Sequence, residues 1–142
     1  RTTWISTNVA VNEHFASEKL AIVDIAPSIS RFMGFEVPRD ILWEQDGIPF
    51  VGKTDIHTLK AMPYDDKVEL SWQSYANDAP IEIYAATDNK FNTGGTDEWI
   101  KVADVKPSSE KATIDLKKLP ESKFYKFIVT TPSNHIGRWL NK

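Results

Sequence analysis

From about His57 onward every apolar run in the chain is short and alternates with polar residues, a period-two pattern that fits strands and not long helices. Lys67–Trp72 puts Val68, Leu70 and Trp72 on one face. Pro80–Tyr84 does the same with Ile81 and Ile83, and Phe124–Thr131 with Tyr125, Phe127 and Val129. Trp99–Val102, which follows Gly94-Gly95, and Thr113–Leu116 are shorter runs of the same kind. Adding Thr58–Met62 and Gly137–Leu140 gives about seven strands at the spacing of a two-sheet sandwich. The expected class is mainly β, a two-sheet sandwich preceded by a short α/β segment.

The first part of the chain follows another rule, and the boundary is expected near Gly52–Ile56, with residues 1–54 as one part and 55–142 as the other. Thr2–Val11 is rich in β-branched residues and reads as a strand; Lys19–Val23 is a second, shorter apolar run. Asp24–Met33 reads as a short amphipathic helix, with Asp24 as N-cap and Pro27 tolerated in the first turn. Ile25, Ile29, Phe32 and Met33 share one face of it, and Gly34 suits the left-handed position past its end. Pro38, Asp46-Gly47 and Pro49 mark turns and loop after it. Arg1–Ser6 reads as the inside of a strand, so the chain is expected to have been cut from something longer.

Two resemblances rest on these residues. Val68–Trp72 looks like the second strand of a fibronectin type III domain with its core tryptophan, and Leu119-Pro120-Glu121-Ser122-Lys123-Phe124-Tyr125 matches that family's spacing before its sixth strand. The resemblance covers about residues 57–140 and implies a tyrosine corner at Tyr125, whose hydroxyl would bond upstream backbone. Asn89–Glu98 is longer and more polar than is usual there. Asp24-Ile25-Ala26-Pro27-Ser28-Ile29, closed by Met33-Gly34 and followed by Pro38 and Asp46-Gly47, resembles the C-terminal stretch of alkaline-phosphatase-superfamily catalytic domains, which include sulfatases and type I phosphodiesterase/nucleotide pyrophosphatases. Ser28 stands where that family usually has threonine. This second resemblance covers about residues 1–52 and implies a parent that hydrolyses phosphate or sulfate esters with a divalent metal, zinc being a candidate. Its setting would be secreted, periplasmic or at the cell surface.

The chemistry of that superfamily needs a nucleophile and Asp/His metal clusters. The sequence holds neither an Asp-His-Gly nor a His-x-x-x-His arrangement, and His14, His57 and His135 are far apart. No catalytic, cofactor or metal residue is therefore assigned; the chain itself is expected to be inactive. The absence of cysteine excludes disulfides and thiolate zinc sites. A formal net charge of −3 speaks against a nucleic-acid backbone binder, and no apolar run reaches the roughly 20 residues of a membrane span. His14 reads as a loop histidine and Asp24 as a cap. Asp88–Glu98 is the most oxygen-rich loop but fails the EF-hand order, so it reads as a polar hairpin loop. Trp43, Trp99 and Trp139 are the candidate surface residues for stacking on sugar rings.

The leading expectation is a non-catalytic accessory domain that braces the catalytic domain of its own parent hydrolase. The runner-up is a free-standing sandwich that binds carbohydrate or protein. Without their parent the apolar residues of this part would fold back on the sandwich, pair with a second copy through residues 1–35, or stay partly disordered, a dimer or larger assembly being the expected outcome.

Overall fold

In the computed structural model, which describes residues 5–17 and 19–142, seven strands form two antiparallel sheets. They are β1 (Ile56–Tyr64), β2 (Lys67–Ser74), β3 (Ile81–Ala86), β4 (Ile100–Val105), β5 (Lys111–Asp115), β6 (Phe124–Thr130) and β7 (His135–Asn141). One sheet has the order β1-β2-β5, the other β4-β3-β6-β7. The expected fold class is met: a β-sandwich preceded by a short helical segment. Every alternating run in the sequence is a strand, because each carries one apolar face that only a facing sheet can cover. Val68, Leu70, Trp72 and Ile114 come to the core from one sheet, and Ile81, Ile83, Tyr125, Phe127 and Val129 from the other.

Tyr125 is buried as the fibronectin-like spacing implies, but its hydroxyl makes no upstream backbone bond among the described residues. Trp72 is buried in the core, with no partner for its indole N–H among the described residues.

Residues 5–55 fold back onto the sandwich. A 3-10 turn (Ile22–Asp24) leads into α1 (Ile25–Phe32), and α2 (Arg39–Leu42) follows after a loop. Gly34 has φ +70°, the left-handed conformation its glycine makes cheap. The strand expected over Thr2–Val11 lies partly outside the described residues; from Ile5 to Val11 the chain pairs with no strand. The amphipathic face of α1 is where the sequence puts it, but it points outward. Ile29, Phe32 and Met33 are more than half exposed, while Pro27 and Ser28 are buried. The reason lies beside and behind that stripe, where Ser28 and Arg31 find partners. Ser28 Oγ donates to Asp24 O at 2.6 Å and accepts from Phe50 N–H at 2.9 Å. Arg31 donates to the carbonyls of Val51 (3.1 Å), Lys53 (2.5 Å) and Ser133. These polar anchors, with buried Pro27, bind the helix to a loop and to the β6–β7 turn and set its orientation. No helix among the described residues is long and apolar enough to cross a membrane.

Candidate functional site

The polar chemistry of the molecule gathers along the seam between residues 5–55 and the sandwich. Alternation explains one half of it. Tyr125, Phe127 and Val129 face the core, so Lys126 must face outward from the same strand. Lys126 is nevertheless buried, because the end of α2 and the β3–β4 loop close over it. Its ammonium pairs with Glu44 at 2.7 Å and with Asp97, and donates to Asn89 Oδ1 at 3.3 Å. It also lies 4.8 Å from the centroid of Trp139 and 5.8 Å from that of Trp99. Burial pushes the Asp97 carboxyl up, but Lys126 and the Phe91 N–H outweigh it and hold it below the ordinary range. For Glu44 burial prevails, aided by Asp97 and opposed by Lys126, and its carboxyl is raised.

The three candidate tryptophans meet around this ion cluster. Trp43 is buried, with its ring 4.8 Å from Tyr84 and 5.3 Å from Trp99. It is thus a packing residue and presents no platform. Trp99 is half-buried against it, its indole N–H without a partner among the described residues. Trp139 is half exposed. It stacks on Phe124 at 5.5 Å and 16°, with the Lys126 ammonium also against the ring. Of the three, Trp139 is the one whose ring still meets solvent.

Asp24 anchors the second half of the seam. The sequence reads it as the cap of the helix, yet its side chain makes no capping bond to α1. Instead it accepts from Ala21 N–H at 2.8 Å, from Ile48 N–H at 2.7 Å and from His14 Nε2 at 2.8 Å. Burial pushes its carboxyl up, but these donors prevail and hold it below the ordinary range. His14 reaches from Asp24 to the sandwich, with Nδ1 at 2.9 Å from the Tyr75 hydroxyl. His57 stacks on the other side of Tyr75, ring centroids 4.2 Å apart. Burial, His14 and Lys19 lower the His57 imidazole, against Glu110. Beside it Thr58 has φ +56°, a costly conformation for a β-branched residue, at a register shift in β1.

Asn134 closes the seam at the β6–β7 turn: Oδ1 accepts from Asp55 N–H (2.8 Å) and Ile56 N–H (3.2 Å), and Nδ2 donates to Ile56 O (2.8 Å). His135, next in sequence, places Nε2 3.0 Å from Gln45 O; burial lowers its imidazole, against the Gln45 carbonyl and Asp46. His14 lies in a turn, as the sequence reads it, but the turn is packed inward, and all three histidines of the chain lie buried on this seam.

What this arrangement does chemically is hold two parts together. The Asp24–His14–Tyr75 chain resembles a proton relay in connectivity. His14 is only 1% exposed and both of its ring nitrogens are engaged, so no substrate reaches it. No group of three or more His, Cys, Asp or Glu suited to a metal ion occurs among the described residues. In the Asp88–Glu98 loop Asp97 serves Lys126, and Asp88 accepts from the Glu98 N–H at 3.1 Å. Lys111, Lys117, Lys118, Lys123 and Lys126, interspersed with acids, read as a solvated face in the sequence, and Lys126 is the exception that the fold buries; the sequence does not single out Tyr75, Arg31 or Asn134. Lys126 alone carried a signal, a cation inside the most apolar strand.

The outward side of the segment is apolar. Ile22, Val23, Ile29, Phe32, Met33 and Phe35 are all at least 50% exposed. Ile25, Ile29, Phe32 and Phe50 continue this surface into a groove of about 350 Å³ against Ile5–Val9.

No family model matches the chain, and no curated protein matches it. Among solved structures it is similar to the Clostridium perfringens spore cortex lytic enzyme SleM, with 15% identity and a TM-score of 0.45 over 61% of this chain and 27% of that one. It is also similar to pectate lyase Pel3 from Pectobacterium carotovorum, with 24% identity and a TM-score of 0.41 over 59% of this chain and 24% of that one. The chain spans about a quarter of the length of these structures.

Proposed function

We propose that the chain is a non-catalytic accessory domain of an exported, metal-dependent phosphoesterase or sulfatase-like hydrolase, braced against the catalytic domain of the same protein. The observation that carries this reading is the outward apolar face of α1, continuous with Ile22, Val23 and Phe35. Contiguous exposed apolar surface on a folded domain marks a contact site. The sandwich does not need this face, since its core closes without it. A face of six large apolar side chains calls for a protein partner, which favours the accessory reading over a carbohydrate-binding module. The resemblance of Asp24–Ile29 to the end of alkaline-phosphatase-like domains names the class of partner.

Nitrophenyl phosphate monoester, diester and sulfate, each offered to the 142-residue chain with zinc or magnesium, should release no nitrophenol. Metal-dependent release that survives repurification would overturn the non-catalytic assignment.

A further inference from the structure

We propose that the seam is a proton-operated clasp: protonation of His57 and His135 frees residues 5–54 from a sandwich that itself stays folded. The argument starts from placement. The chain has three histidines, far apart in sequence, and the fold buries all of them where the segment meets the sandwich. His57 lies in β1 with its ring on Tyr75, the residue His14 grips from the segment side. His135 lies in β7 and meets the Gln45 carbonyl, past the end of α2. His135 thus meets the segment directly, and His57 backs the Tyr75 ring that His14 of the segment holds.

A charge on His57 is opposed by burial and by His14 and Lys19 of the segment, and favoured by Glu110. At His135 burial opposes the charge, while the Gln45 carbonyl and Asp46 favour it. Both imidazoles are lowered from the ordinary value of 6.5. The released state, with its histidines in water, therefore binds more protons than the docked state just below that value. Docking is complete above about pH 6.5 and weakens as the pH falls through it.

The test is amide exchange on the whole chain at about pH 7.5 and about pH 5, with rates corrected for intrinsic exchange. The Asp55 and Ile56 amides, which donate to Asn134 Oδ1 where the segment joins the sandwich, report the docked state, and the paired amides of β6 and β7 away from His135 report the sandwich. Protection of the first group should fall about tenfold or more on acidification while the second group holds. His57→Phe keeps a ring on Tyr75, and His135→Gln keeps a donor toward Gln45; the double variant should lose less than about twofold. Unchanged protection in the natural chain, or an equal loss in the double variant, overturns the proposal. Should the double variant not fold, each single variant should remove part of the loss, and an undiminished loss in both overturns it.

Discussion

Single residues decide which parts of this chain touch. Gly47 is the clearest case: a Cβ there would sit 2.0 Å from the Val23 carbonyl oxygen and 2.9 Å from Pro27 Cγ. The glycine serves close backbone approach, not only a turn. Gly47→Ala should cost about 1–3 kcal/mol, read from the urea midpoint. Trp72→Ala should cost about 3–5 kcal/mol through the cavity it leaves, and a cost under about 1 kcal/mol would discredit the strand register. Lys126→Met should cost about 3–5 kcal/mol at neutral pH, because Asp97 and Glu44 would face each other without their cation. Their carboxylates would then take up protons more readily in the folded state, so that cost should shrink as the pH falls. A cost independent of pH would show that Lys126 acts by packing its stem alone.

At the scale of elements, legibility tracks periodicity. All seven strands were legible, because inward alternation is a property of each run by itself. Helix α1 was legible in extent and in its apolar stripe. Its direction was not, because a stripe states which side is apolar and not what covers it. That was settled by Ser28 and Arg31, whose partners lie up to 102 residues away. Long-range polar pairing of this sort has no local signature, and the same holds for His14 with Tyr75 and for Asn134 with Asp55. Arg31→Met should leave three carbonyls without their donor and loosen the segment by about 1–3 kcal/mol. The check is selective loss of amide protection at Phe50 and Asp55, with β6 unchanged.

For the molecule as a whole, two surfaces compete for interpretation. Of the tryptophans that suggested a sugar platform, Trp43 is spent inside on Tyr84 and Trp99, while Trp139, against Phe124 and Lys126, stays half exposed. The apolar face of α1 is unspent, and in the isolated chain it should cause association at high concentration. Ile29→Glu with Phe32→Glu should abolish that association in light scattering and leave the circular dichroism of the sandwich intact. The central claim, however, concerns the company this domain keeps. It is tested most directly by the mass of the native polypeptide captured, with an antibody to the sandwich, from the cells that make it. A polypeptide well above 16.1 kDa whose further sequence carries Asp/His metal-ligand motifs is the predicted result. A polypeptide of 16.1 kDa, with no catalytic domain attached, would contradict it.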